Sequence, residues 1–530
     1  MEHILEKKTR VLLIAIEPVT PYVYGVRSIS AMLKSHGFHT SILFLHPNQF
    51  ATEDGATTDH FLDFCSGYDV LGMSFMSPRF FMATTLTTRI RQRWPEKIVV
   101  FGGHDSIVDP VRNLKVADAV CTGEGETAFL DYLRQREAGD HQRAVPGMVL
   151  RHGHDTLQAP LPALMRNFDE VPTVDNDFAT HFVTHNNQIF PMVGSMAKRH
   201  LGHDYMTMTS FGCTMRCTYC VNNKMMELYP DWKKVRRRPV AHIMREFQDA
   251  LTHIPLILSV NLVDDDFGSA PIAYLEEFRD HYKREVNLPL DVMGLRPVDV
   301  TREKLDLLQD MGTVKVRMGI QSVAPSVKKL FRRNFTNDYI MEKVNLLHQY
   351  RNCFWAIRYD FIVDTPWDPP EASLETLQFM ARMPPPFFPN VFTLAHYPGT
   401  ELYNRALAEG IVNESDVWEG RLNENFMELK PTWLNFLMIG MGIIHISPKV
   451  LALLTHPRLT QRINRVPSAM MTLAQLLAFL KRFLVFLSKG DRAQLKKLSL
   501  YLREYAFLFF KPKSRVAPPP TLTNHDKSPA

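Results

Sequence analysis

The sequence is poor in cysteine, with six in 530 residues. At that density a secreted disulfide framework is excluded, and scattered Cys65, Cys121 and Cys353 read as buried reduced thiols. The N-terminal stretch Met1-Glu-His-Ile-Leu-Glu-Lys-Lys8 lacks the apolar run of a signal peptide. A reducing cytoplasm is therefore the expected compartment. The apolar stretch Trp433–Ile446 is too short to span a bilayer. No nucleic-acid-binding module accompanies the basic residues, so no nucleic-acid partner is expected. Hydrophobic content of 45% and charged content of 22% are ordinary for a globular chain, and the length fits about three domains.

What cysteine there is, is concentrated. Phe211-Gly-Cys-Thr-Met-Arg-Cys-Thr-Tyr-Cys220 places Cys213, Cys217 and Cys220 within eight residues. Three thiolates on one loop suit three irons of a cubane, because soft sulfur ligands match iron–sulfur chemistry. Cys217-Thr-Tyr-Cys220 alone would also fit a redox pair or half a zinc site. No second Cys or His pair lies nearby to complete the latter.

The chain before this loop alternates strand and helix signals. Arg10–Ile16, Thr40–Leu45, Val70–Ser74, Ile98–Phe101 and Ala117–Cys121 are short apolar runs, and Ser28–His36 reads as an amphipathic helix. Such alternation predicts a doubly wound, Rossmann-like parallel sheet over residues 1–150. Its ligand would bind outside the strand ends. Loops at Ser74–Ser77, Gly102-Gly103-His104 and Thr122-Gly-Glu-Gly-Glu-Thr127 fit a large flat ligand or a nucleotide equally well. Residues 151–205, rich in polar turns, read as a surface connector without chemistry. Residues 206–412 carry six strand–helix repeats, expected to form a partial (β/α)6 barrel with chemistry at the carboxyl ends of its strands. The cysteine loop follows the first of these strands. Residues 413–515 read as helical and basic, through Leu473–Leu487 and Leu498–Phe510, and 516–530 as a disordered tail. The last hundred residues hold fifteen Lys/Arg against three Asp/Glu, or +12, which leaves −7 for the rest of a chain of net charge +5. Basic apolar helices suit an anionic membrane surface or a cap on the barrel.

The cysteine spacing, with Tyr219 before the last cysteine, resembles the radical S-adenosylmethionine (SAM) superfamily. Gly102-Gly-His104 and Gly123-Glu-Gly-Glu126 after successive strands resemble the cobalamin-binding domain of its B12-dependent members. Asp264-Asp-Asp-Phe267, Gly319-Ile-Gln-Ser322 and Tyr397-Pro-Gly-Thr-Glu401 resemble landmarks of the same group. The resemblance implies a 4Fe-4S cluster on Cys213, Cys217 and Cys220, with SAM chelating the open iron. It also implies SAM or substrate contacts at Tyr219, the Asp264–Asp266 cluster (Asp265 foremost), Arg296, Gln321 and Arg358. Cobalamin contacts are implied at Ser74, Gly102, Gly103, Glu124 and Gly125. Two positions depart from the pattern. Gln321 stands where relatives commonly carry Glu. Glu17-Pro-Val-Thr-Pro-Tyr-Val-Tyr-Gly25 lacks the histidine that ligates cobalt from below in many cobalamin domains, so cobalamin here would lack that ligand.

Three functions follow from the resemblance. The first is methylation of an unactivated carbon of a small or lipid-like substrate through a 5′-deoxyadenosyl radical. The second is cobalamin-dependent cyclase, oxidase or rearrangement chemistry without net methylation. The third is a non-catalytic cobalamin or redox sensor. An electron donor such as flavodoxin or ferredoxin is implied for either enzyme. The C-terminal region adds the expectation of peripheral contact with the inner membrane surface.

Overall fold

A computed structural model describes residues 9–16, 20–47, 50, 55–140, 142–153, 155–254, 257–420 and 429–490. The first apolar runs become five parallel strands: β1 (Arg10–Ile16), β2 (His39–Leu45), β3 (Val70–Phe75), β4 (Ile98–Gly102) and β5 (Ala119–Cys121). Their order is β5-β4-β3-β1-β2. β1 lies between β2 and β3, with Val11 opposite Thr40 on one side and Val70 on the other. Beyond Arg10 every residue of β1 is buried. Leu13 enters one apolar core with Val26 and Phe129, and Leu12 and Ile14 enter another with Phe61 and Leu86. Helices thus cover both faces, which is why the strands read as continuous apolar runs. The chain winds one way from β1 to β2 and the other way to β3, so a crevice opens at the carboxyl ends of β1 and β3.

Residues 151–205 do more than cross the surface. β6 (Met148–His152) and β7 (Asp155–Gln158) extend the sheet antiparallel beyond β5. β8 (His181–His185) runs parallel to β2, and β9 (Gln188–Pro191) closes that side. The sheet has nine strands. These outer strands read as turns because they are short and partly exposed, as at Asp155, Thr156 and Gln188. The same stretch locks the two units together. Arg27 donates through Nε to the Asp175 carbonyl (3.1 Å) and through Nη2 to Asn176 Oδ1 and the Tyr205 hydroxyl (3.3 Å). Tyr205 donates to Glu246 (2.8 Å), which also pairs with Arg238, and both members of that pair are fully buried.

The second unit is an arc of six parallel strands: β10 (Asp204–Thr207), β13 (Ser259–Leu262), β14 (Leu290–Leu295), β15 (Thr313–Gln321), β16 (Ala356–Val363) and β17 (Phe388–Thr393), in that order. A two-stranded ribbon, β11 (Ser210–Phe211) with β12 (Arg236–Arg237), stands beside β10. Strand alternation sorts the side chains. Val316, Met318, Ile320, Tyr359 and Phe361 face the outer helices and are buried. The alternate positions, including Lys315, Arg317, Gln321, Arg358 and Asp360, face the concave interior. Together these units form the α/β architecture of Rossmann-like sheet, partial (β/α)6 barrel and helical C-terminal region.

In that last region, helix Trp433–Met441 buries Leu437, Met438 and Ile439. Helix Ser468–Ser488 is long and apolar enough to cross a membrane by length and composition alone. It seats Met471, Ala474 and Ala478 inward. Leu473, Leu484 and Leu487 stay about half exposed (53%, 53% and 50%). The segment Leu498–Phe510 and the tail from 516 lie outside the described residues.

Candidate active site

The cysteine loop leaves the ribbon at Gly212, whose φ is +99°. A Cβ there would lie 2.3 Å from the Trp232 carbonyl oxygen, so only glycine makes this turn. Three pins hold the loop over the strand ends. Asp264, beyond β13, accepts from the Thr209 amide (3.0 Å) and hydroxyl (2.8 Å) and from the Ser210 hydroxyl (2.5 Å). Asp266 accepts from the Thr214 amide (2.9 Å) and hydroxyl (2.8 Å). The Thr218 hydroxyl donates to the Leu330 carbonyl (2.7 Å). Cys213 and Cys217 are buried and Cys220 is half-buried, capping helix Val221–Leu228. Burial, and next the Asp266 carboxylate, push the Cys213 thiol up to about 12; burial, and next Asp265, do the same for Cys220.

Arg333 was not singled out from the sequence. Helix Pro325–Phe331 ends in left-handed Arg332 (φ +55°), which turns the next side chain inward. Arg333 Nη1 then lies 3.8 Å from Cys217 Sγ, and Nη2 donates to the Gly319 carbonyl. A buried guanidinium at a thiol fits an anionic iron–sulfur centre. Among the described residues no three His, Cys, Asp or Glu side chains converge on one ion-sized point. A cubane spreads three thiolates over three irons, so its ligands need not converge on one point.

The remaining expected contacts divide. Of the three aspartates, Asp264 and Asp266 are consumed as pins, and Asp265 alone is exposed, accepting from Asn222 Nδ2 (3.0 Å). Arg296 is committed to Asp299 (2.8 and 2.7 Å), Asp266 (3.1 Å) and the Thr214 hydroxyl, so it braces the loop and does not reach into the site. Arg358 pairs with Asp291 across the barrel interior, the structural role left open by its sequence. Tyr219 packs edge-on against Phe331 (4.8 Å) beneath the loop. Gln321 ends β15 half-buried, at a register shift and with φ +72°. A left-handed non-glycine residue at a strand end is the kind of strain found at functional sites.

At the carboxyl edge of the nine-stranded sheet lies a mostly apolar cavity of about 170 Å³, lined by Gly72, Ser74, Gly102, Gly103, Gly125 and Glu126, among others. Gly103 has φ +88°, and a Cβ there would meet the Phe75 carbonyl oxygen at 2.6 Å. Ser74, Gly102, Gly103 and Gly125 therefore border one cavity. Glu124 does not: its carboxylate accepts from the Met165 amide (2.6 Å) and Arg236 Nη1 (2.7 Å), tying the sheet to the ribbon. Glu126, two residues on, lines the cavity instead, with its pKa raised by burial. Beside the cavity His104 is exposed at the end of β4. Desolvation by the surrounding protein atoms nonetheless lowers its pKa, and the Asp265 carboxylate partly offsets that shift. Asp265 thus acts on His104 from one unit and on Cys213 and Cys220 from the other. The histidine beside the glycine-lined cavity and the cysteines of the loop thus both lie within electrostatic reach of this aspartate.

Profiles of known families match both halves: a B12 binding domain over residues 10–133 and the Radical SAM superfamily over residues 207–374. The chain is a radical SAM protein with a B12-binding domain. Its fold is similar to that of the radical SAM methyltransferase TsrM from Kitasatospora setae, solved with cobalamin and a [4Fe-4S] cluster bound (TM-score 0.59, 17% identity, 76% of this chain and 78% of that one). It is also similar to the cobalamin-dependent radical SAM enzyme OxsB, solved with aqua-cobalamin and SAM bound (TM-score 0.60, 15% identity, 94% and 76%). No curated protein sequence matches the chain.

Proposed function

We propose that this protein is a cobalamin-dependent radical SAM enzyme that methylates an unactivated carbon of a small or lipid-like substrate. The reach of Asp265 both to His104, beside the glycine-lined cavity, and to the cysteine loop carries this reading, because methyl transfer between the two cofactors needs them adjacent. Cys213, Cys217 and Cys220 would hold the 4Fe-4S cluster, Asp265 and Gln321 would meet SAM, and Ser74, Gly102, Gly103 and Gly125 would cradle cobalamin. When bound, these groups supply reductive cleavage of SAM to a 5′-deoxyadenosyl radical and a transferable methyl group. The chain's own part is to fix geometry. Arg333 stabilises negative charge at the Cys217 thiolate, Asp264 and Asp266 immobilise the loop, and the Arg27–Tyr205–Glu246–Arg238 network fixes the sheet against the barrel. The electron would come from a small carrier of the flavodoxin or ferredoxin kind. The test is cofactor content followed by product mass. Protein purified anaerobically with cobalamin supplied is expected to hold four irons and one cobalamin per chain, a stoichiometry set by the cluster type. Its product is expected to be heavier than the substrate by one CH₂ unit. A product of unchanged carbon count would point to cyclase or oxidase chemistry. Intact SAM under strong reductant would favour a sensor.

The exposed leucines of helix Ser468–Ser488 favour peripheral contact of a cytoplasmic protein with an anionic leaflet at the inner membrane surface. Full-length protein is expected to co-sediment with vesicles of mixed anionic and neutral phospholipid, and less at high salt. Protein that stays in the supernatant at low salt would refute this contact.

A further inference from the structure

Four strands and one late helix bring an excess of positive charge into the barrel interior. Arg317 Nε donates to both carboxylate oxygens of Asp360 (2.8 Å each), and Asn390 donates to the same carboxylate (2.9 Å). Arg358, on β16, pairs with Asp291, on β14. The strand between them is β15, so this pair spans the concave face. A third guanidinium arrives from outside the barrel. Arg482, on helix Ser468–Ser488, donates to the Pro389 carbonyl and lies over the Phe388 ring (5.8 Å). Phe486, one turn on, contacts Phe388 (6.3 Å) and lies under the Lys315 ammonium (5.3 Å).

Three guanidiniums thus share two carboxylates, and no carboxylate pairs directly with Arg482 among the described residues. Burial lowers the pKa of Arg482 to about 10, and repulsion from Arg358 and Arg317 adds to the shift, with only Asp360 opposing. The Nε atoms of Arg358 and Arg482 are both buried without a hydrogen-bond partner. Yet the side chains of Arg317 and Arg358 remain 29% and 18% exposed, and Met293, Asn390, Phe392 and Arg482 are half-buried. These side chains are thus partly open to solvent. Buried charge without a counter-charge is costly, so such a cluster is stable when an anion completes it.

We propose that the barrel interior binds the anionic group of the substrate, a phosphate or a carboxylate, through Arg482, Arg358 and Arg317, with the apolar body of the substrate directed along Met293 and Phe392 toward the cysteine loop. This rests on the reading of the barrel as the substrate chamber. Helix Ser468–Ser488 then serves as the floor of that chamber and supplies its selectivity. Guanidinium forks suit both oxyanions, so the headgroup is identified by experiment.

The experiment is calorimetric titration of anaerobically purified full-length protein at low, matched ionic strength. Inorganic phosphate and pyrophosphate form one arm, acetate and succinate the other, and chloride the control. Saturable binding of one site per chain in either arm is expected, and the arm that binds names the headgroup. Arg482→Met, which keeps the apolar stem, is expected to weaken binding at least about tenfold, and Arg482→Lys by less. Should Arg482→Met fail to fold, the wild-type protein decides alone: the same anion must raise its melting temperature with concentration, and chloride must not. The proposal is overturned if neither arm saturates, or if folded Arg482→Met binds as the wild type does. SAM cleavage by the same preparation is scored separately. Anion binding without cleavage leaves this site standing and removes the radical SAM chemistry.

Discussion

Cys217→Ala is expected to remove iron and SAM cleavage together. Each of the three thiolates would hold a different iron, so two cannot retain a cubane whose fourth iron is already without a protein ligand. The fold should survive, because the loop is pinned elsewhere: Thr209 and Ser210 to Asp264, Thr214 to Asp266, and Thr218 to Leu330. The truncation removes one sulfur from a buried position, a loss of about 1–2 kcal/mol by the usual cost of small core deletions. Iron and sulfide per chain, visible absorbance and 5′-deoxyadenosine release would report the effect, and circular dichroism would show the fold retained. Cys353→Ala is the control, since that thiol packs at the edge of the barrel core far along the chain from the loop. Full iron content in Cys217→Ala would remove this residue from the cluster.

Gly102→Val is expected to abolish cobalamin retention while leaving iron content unchanged. Gly102 ends β4 and lines the apolar cavity. A Cβ there would meet Cys121 Cβ at 3.8 Å and the Met73 carbonyl at 4.0 Å, both ordinary contacts. The strand therefore accepts a branched side chain, and the added methyls fill space meant for the ligand. Overfilling a packed site costs about 1–3 kcal/mol, or roughly ten- to hundredfold in affinity. Gly103→Val would not serve as a test: its left-handed backbone and the 2.6 Å approach to Phe75 would damage the sheet itself. Cobalamin retained by Gly102→Val at one per chain would place the cofactor elsewhere.

The parallel strands were legible because both their faces are buried. Arg10–Ile16 coincides with β1, and Ile98–Phe101 with all but the last residue of β4. β7 and β9 escaped notice because an edge strand with an open face alternates weakly and resembles a turn. At the site, the three cysteines stand out in the sequence by their spacing on one loop, and their cluster role comes from the family resemblance. Asp264, Asp266, Arg296 and Glu124 could not be assigned, because a charged residue near a site reads the same in sequence whether it meets a ligand or braces a loop. Arg333 lies over a hundred residues from Cys217, and only the left-handed turn at Arg332 brings it there. Thr313–Gln321 alternates polar and apolar residues, yet the charge excess of the interior required Arg482 from a helix read either as membrane-facing or as a cap on the barrel.

β8 and β9 bear on where this chain can be cut. A fragment ending at residue 150, the boundary suggested by the last Rossmann-like signal, would keep all five parallel strands but strip β8 from β2. Ile42, Leu43 and Phe44, which pair with His181, Phe182 and Val183, would then present bare amides and carbonyls beside buried apolar side chains. An open, apolar edge of that kind recruits other copies of itself. The cobalamin-binding half will stay in solution on its own only if the excised piece runs on through Pro191, and a shorter one will precipitate for reasons unrelated to its cofactor.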